Sequence, residues 1–270
     1  MSILETYPAL VTALSQEMTP KFLATRSADG LPNVVPCTSI MPAGDRPDRL
    51  ILGNFLLRKS VANLDADPRL GILVITTDLE GWVLQADFAG WQRTGDYVDK
   101  LNNTDLLRYN AYTGIRNAGI VEVRALLRHF RIPRLRVLAD YLLARAAHLA
   151  GFPDAPPEPA VEMPPIVRQK FSPMTAVRVL AFLDDHGYPR VEPLLSLQPA
   201  GKQALVCAGA PDVIPAGTPV AANLLTLDVV SFQAKGRWLG SRRFLGAPVG
   251  GMSVTAVYAG GPPIPGRQVA

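Results

Sequence analysis

The chain has 270 residues, 48% of them hydrophobic and 19% charged, which is a globular balance with apolar material for one large domain or two small ones. A net charge of +4 that is scattered rather than gathered on one stripe argues against a nucleic-acid binder, and no run reaches the ~18–20 apolar residues that span a bilayer. The start, MSILETYPAL, has early acid and no basic n-region, so a soluble cytoplasmic protein is expected. Cys37 and Cys207 match no metal-ligand spacing and read as two buried thiols in a reducing compartment. The 25 prolines and 22 glycines suit many short strands joined by turns.

Along the chain, apolar positions Ile3, Tyr7, Leu10, Val11 and Leu14 predict a helix over 3–17, ended by Pro20. Lys21 to Arg26 reads as a strand, Asp29-Gly30 as a hairpin turn, and Pro32 to Ile40 as the return strand. A polar turn at 43–48 leads to a third strand, Arg49 to Asn54. Ser60 to Asp67 reads as a short helix stopped by Pro68. Strands follow at 71–76 and 82–89, then a helix at 96–110, a strand at 119–130 and a helix at 133–150 with proline at its first position. The segment GFPDAPPEPAVEMPPIV, residues 151–167, is so rich in proline that it predicts a semi-extended linker without helix or ladder.

Beyond that linker the sequence echoes itself. Gly30-Leu31-Pro32-Asn33-Val34-Val35-Pro36 returns as Gly187-Tyr188-Pro189-Arg190-Val191-Glu192-Pro193, with Gly, both prolines and one Val matching at a single offset (187 − 30 = 157). Both copies follow one apolar strand and precede another. The second copy runs Ala210-Pro211-Asp212 to Pro219 with no basic turn and no short helix. The expected fold class is therefore mainly β with flanking helices, arranged as two tandem lobes: 1–150, the linker 151–167, and 168–270.

Chemistry concentrates in Gly53-Asn54-Phe55-Leu56-Leu57-Arg58-Lys59-Ser60, followed by Asn63 and by Asp67-Pro68-Arg69. Two cations and a hydroxyl at a helix N-terminus, with its unpaired amides, suit a phosphate dianion. Read from the residues alone, the same turn is also a solvated basic helix start with Ser60 as its N-cap.

Taken in order, strand, Asp-Gly hairpin, strand, strand, Arg-Lys-Ser-x-x-Asn-Leu helix, Asp-Pro-Arg and buried strand resemble the FMN-binding split β-barrels of the pyridoxamine-phosphate-oxidase-like kind. The resemblance covers residues 20–95. It implies that Arg58, Lys59 and Ser60 hold the FMN phosphate, and that Pro36, Cys37, Thr38 and Ser39 face the ring. It further implies that Gly53, Asn54 and Phe55 line the ribityl chain and ring, that Asn63 braces the loop, and that Gln85 reaches the pyrimidine end. Related proteins bind FMN at a homodimer interface, so a tandem chain is expected to be a self-sufficient pseudo-dimer or a homodimer.

Other features read as packing. His129, His148 and His186 are far apart in sequence, Trp82, Trp91 and Trp238 suit core or rim, and the Arg- and Leu-rich helix at 133–150 suits a barrel flank. The expectation is an FMN-dependent oxidoreductase acting on a small-molecule substrate or electron donor, with no metal, nucleic acid or membrane partner. The alternative is a non-enzymatic flavin, deazaflavin or haem binding or carrier protein on the same barrel.

Overall fold

The computed structural model describes residues 2–104, 114–153, 159–211, 213–261 and 265–270. It is mainly β with flanking helices, the fold class expected from the sequence, and carries two seven-stranded sheets. In the first half lie α1 (Ile3–Thr6), α2 (Pro8–Ser15), β1 (Lys21–Arg26), β2 (Pro32–Pro36), β3 (Met41–Pro42), β4 (Arg49–Gly53), α3 (Arg58–Ala66), β5 (Arg69–Ile75), β6 (Glu80–Gln92), α4 (Asp96–Asn102) and β7 (Ala118–Arg131). The second half holds α5 (Arg134–Leu149), α6 (Pro165–Phe171), β8 (Val177–Leu183), β9 (Pro189–Pro193), β10 (Gln198–Ala200), β11 (Ala204–Ala208), β12 (Pro219–Leu225), β13 (Ser231–Phe244) and β14 (Ala247–Ala259). No helix among the described residues is long and apolar enough to cross a membrane.

The sheets share one plan. The first has the order β2-β1-β5-β6-β7-β4-β3, and the second, read from its β9 edge, has the order β9-β8-β12-β13-β14-β11-β10. Registers agree as well as orders. Lys21 pairs with Val74 and Arg178 with Leu224, which lie 157 and 150 positions further on. Arg69 pairs with Asp87 and Pro219 with Arg237, both 150 further on. The β6–β7 ladder slips between Gln85 and Ala86 and between Phe88 and Gly90, and β13–β14 slips between Lys235 and Gly236 and between Trp238 and Gly240. Such bulges bend and twist a strand locally, so their common placement gives both sheets the same curvature points.

The chain packs as two compact units, one made of Met1–Gly30, Pro36–Arg131 and Asp184–Arg190, the other of Leu31–Val35, Ile132–Leu183 and Val191–Ala270. In the first, β1, β5 and the start of β6 are buried on both faces, as their unbroken apolar runs require. In the second, Phe171, Leu180, Leu205, Trp238, Met252 and Val257 belong to one core cluster. The α5 helix packs Ala144 and Ala147 against Val206, Ala208 and Val249, a flank position that small residues permit.

Several predicted boundaries move for identifiable reasons. The helix expected over 3–17 is broken into α1 and α2 because Pro8 cannot continue it, and proline instead opens α2 at its first turn. In α1, Ser2 and Glu5 form a reciprocal capping box. Pro133 is the N-cap of α5 rather than its first residue. The proline-rich segment was expected to exclude helix, yet α6 begins inside it, with Pro165 at the one helical position where a missing N–H costs nothing. The helix expected over 96–110 is present as α4, and residues 105–110 lie outside the described residues.

Candidate functional site

The candidate site is built on the turn that joins β4 to α3. β4 ends at Gly53, and the chain then turns through Leu56, which sits in the left-handed region at φ 62°. The helix starts at Arg58, two residues before the predicted Ser60. Leu57 is the N-cap and makes no side-chain cap bond, and the first turn carries no acid. The helix therefore supplies neither a capping oxygen nor a first-turn carboxylate of its own to offset its partial positive end. The face made by Ser60, Asn63 and Leu64, spaced i, i+3 and i+4, is buried. Arg58 is exposed and Lys59 half-buried. Burial pushes the Lys59 ammonium below its ordinary value, which an anion in contact would reverse. Ser60 lies underneath, 1% exposed and engaged within the protein.

Asn63 and the Asp-Pro-Arg step hold this helix in place. The Asn63 side-chain amide donates to Thr25 Oγ1 of β1 at 2.9 Å, in a buried position. Asp67, which caps the C-terminus of α3, accepts from the Arg69 backbone at 3.1 Å, from Arg69 Nε at 2.9 Å and from Arg69 Nη2 at 2.6 Å. Arg26 Nε lies 3.6 Å from the same carboxylate. Hydrogen bonds from Arg69, chiefly, hold the Asp67 carboxyl below the usual carboxylate range. Thus the C-terminal half of α3 is tied to the β1–β5 pair, and the basic turn lies at the other end of the helix so anchored.

The second element is the segment after β2. Pro36 ends that strand, and Cys37, Thr38 and Ser39 follow in the turn toward β3. The Cys37 amide donates to Lys21 O at 2.8 Å. Its thiol is buried, lies 3.5 Å from Ser39 Oγ and is pushed up to about 11 by burial. Ser39 Oγ accepts the Gly53 amide at 3.0 Å, which joins this segment to the end of β4. Gly53 permits that approach, since a Cβ there would fall 2.1 Å from Ile115 Cδ1 and 3.3 Å from Ser39 Oγ. Asn54 donates its amide to Asn117 O at 2.9 Å, and Phe55 packs against the cluster of Met41, Ile51, Val98 and Leu101. The structure therefore brings Cys37, Ser39 and Gly53 together and leads from Gly53 through Asn54 and Phe55 into the basic turn.

Gln85 lies elsewhere on the sheet, in the middle of β6. It shares a polar group with Tyr188, whose hydroxyl donates to Asp87 Oδ1 at 2.9 Å, while Arg124 Nε donates to Asp87 Oδ2 at 2.7 Å. Burial and the bond to Asp87 raise the Tyr188 phenol. Of the histidines, His129 stacks on Trp82 with centroids 5.2 Å apart and meets Glu80 Oε1 at 2.8 Å.

Sequence reasoning passed over Lys21. It opens β1 and is 1% exposed, and its ammonium donates to Gln16 O at 2.9 Å and to Thr38 O at 3.0 Å. Burial lowers it to about 8, with partial compensation from the Glu17 carboxylate. A lysine placed directly before the apolar run Phe22-Leu23-Ala24 was the available signal.

No family model matches the sequence, and no curated protein matches it. Among solved structures, the chain is similar to an FMN-binding protein from Syntrophomonas wolfei subsp. wolfei, with 20% identity, 48% of this chain and 88% of that chain covered, and a TM-score of 0.39. It is similar to HupZ of Group A Streptococcus at 17% identity, covering 46% of this chain and 93% of that one, with a TM-score of 0.38. It is also similar to an F420 reductase at 21% identity, covering 43% and 93%, with a TM-score of 0.34. At such identities and scores these are likenesses only.

Proposed function

We propose that the chain is an FMN-binding flavoprotein of the pyridoxamine-phosphate-oxidase-like class, an oxidoreductase acting on a small molecule. The observation that carries this reading is the start of α3, where Arg58 and Lys59 flank amides with no capping side chain and no acid in the first turn. The order β1, Asp29-Gly30 hairpin, β2, β4, α3, Asp67-Pro68-Arg69 and buried β5 supports it, being the order on which the family resemblance rests, with the short β3 in addition.

Bound there, FMN would supply the electron or hydride chemistry, and the protein would supply binding, orientation and electrostatics. Arg58 and Lys59 neutralise the phosphate, and the first-turn amides orient it. Ser60, buried beneath the turn, shapes its floor. Pro36 to Ser39 present backbone edges to the ring, Gly53 to Phe55 line the ribityl side, and Gln85 serves the pyrimidine end. The ring-facing side chains offer no group that titrates near neutrality, since Cys37 is held as a thiol. That favours a transfer needing little acid–base help, and it equally suits the second reading, a non-enzymatic flavin carrier.

We further infer that the two lobes arose by duplication. The second lobe connects β11 to β12 through Gly209–Thr218, with no helix among its described residues, so one FMN per chain is the stoichiometry that follows. A cytoplasmic location and a small-molecule electron donor complete the reading.

The test is the double variant R58A/K59A in an FMN titration. Loss of two charge-assisted contacts should weaken binding by about 2–4 kcal/mol, or ~30- to 1000-fold, while the circular dichroism spectrum stays unchanged. Unchanged affinity would show that the phosphate does not sit on α3.

A further inference from the structure

The buried cation of β1 has a counterpart in the second sheet. Arg178, at the head of β8 and 0% exposed, donates through Nη2 to Pro173 O and through Nη1 to Leu195 O. Lys21 donates to Gln16 O and Thr38 O. Each of these three positions lies 157 residues before its counterpart: 16 and 173, 21 and 178, 38 and 195. The backbone repeats the pattern, with the Cys37 amide on Lys21 O at 2.8 Å and the Leu194 amide on Arg178 O at 2.9 Å. The serine after each clamped carbonyl is fixed to the neighbouring strand as well. Ser39 Oγ accepts from the Gly53 amide at 3.0 Å, and Ser196 Oγ accepts from the Ala208 amide at 3.0 Å.

A cation buried among carbonyls is an expensive way to close a strand end, because burying a charge is costly and an apolar side chain would fill the space more cheaply. What the cation adds is direction. It pins one carbonyl oxygen, and so fixes the peptide plane, of the residue between two others already bonded. In the second lobe the pinned segment is Leu194-Leu195-Ser196, which is buried and has no basic turn after its partner strand. In the first it is Cys37-Thr38-Ser39, with Thr38 and Ser39 only partly buried, and its partner strand leads straight into Arg58 and Lys59.

We propose that Lys21 is a positioning residue of the flavin site, a cation clamp that fixes the Thr38 carbonyl so that the Cys37–Ser39 edge meets the ring in one conformation, while Arg178 is the same clamp in a lobe that binds no flavin. The role rests on the flavin reading given above. It predicts an asymmetry between two chemically matched clamps that a purely structural role does not.

The experiment compares K21M, K21R and R178M with the wild type by FMN titration, by the midpoint potential of the bound flavin and by thermal melting. K21M should lose about tenfold or more in FMN affinity and shift the midpoint potential, and K21R, which restores a cation of the kind Arg178 supplies, should recover affinity to within about threefold. R178M should lower the melting temperature yet leave FMN affinity within about threefold. Wild-type affinity in K21M, or equal loss in R178M, overturns the role of Lys21 and leaves the flavin reading standing. A wild-type protein with no FMN affinity overturns both. Where K21M is not folded by circular dichroism, K21L, which likewise has no N–H donor, takes its place with the same expected loss and the same overturning result, and failure of both to fold marks Lys21 as structural and overturns its role at the flavin.

Discussion

At the residue scale, the burial of Lys21 makes a second, independent prediction about pH. Its folded-state value is lowered to about 8 from 10.5 by burial, and the Glu17 carboxylate holds it from falling further. Below pH 8 the proton is on Lys21 in both folded and unfolded chains, and the cost of the buried charge is carried in full. Between about 8 and 10.5 the folded chain has released the proton while the unfolded chain keeps it, so this group adds stability as pH rises through that window. The clamp survives the loss, because a neutral amine has two N–H bonds for its two carbonyls. Cys37, at about 11, stays a thiol over most of the range. Denaturant unfolding of wild type and K21M should therefore show the wild type gaining relative stability from pH ~7.5 to ~10. A difference that stays flat would mean that the ammonium is not desolvated.

At the element scale, the first unit depends on a close approach at β5. A Cβ on Gly71 would lie 2.1 Å from the backbone oxygen of Pro189, which belongs to the Asp184–Arg190 segment of the same unit. Backbone cannot withdraw as a flexible side chain can, so G71A should destabilise the protein by about 1–3 kcal/mol in denaturant unfolding. A Gly71 variant as stable as wild type would show that this segment does not seat on β5. Such approaches explain which parts were legible in the sequence. The Asp29-Gly30 hairpin was legible because its turn needs Gly30 at φ 72°, and its echo was legible because Gly187 sits at φ 76°. The basic turn was legible because its chemistry is local. Its start was not, since Leu57 caps α3 without a side-chain bond and leaves no polar signature. The bond from the Gly53 amide to Ser39 Oγ and the clamp from Lys21 to Thr38 O were invisible because one partner in each is a main-chain atom, which carries no residue identity. The length of β6 and β7, 13 and 14 residues, exceeded the predicted strands because bulges keep the ladder going where alternation breaks.

At the scale of the whole molecule, the two halves follow one strand order, matching registers and two shared bulge positions, yet differ at the turn between the fourth and fifth strands of each sheet. In the first half that turn is a nine-residue helix headed by Arg58 and Lys59, and in the second it is a helix-free connection among the described residues. Two sheets of one plan with a single basic turn imply a number of cofactors as well as a kind. The most direct measurement is the absorption spectrum and flavin content of the purified protein saturated with FMN. The account predicts bands near ~370 and ~450 nm and one FMN released per chain on denaturation. A protein that stays colourless with added FMN, or one that releases two FMN per chain, would contradict it.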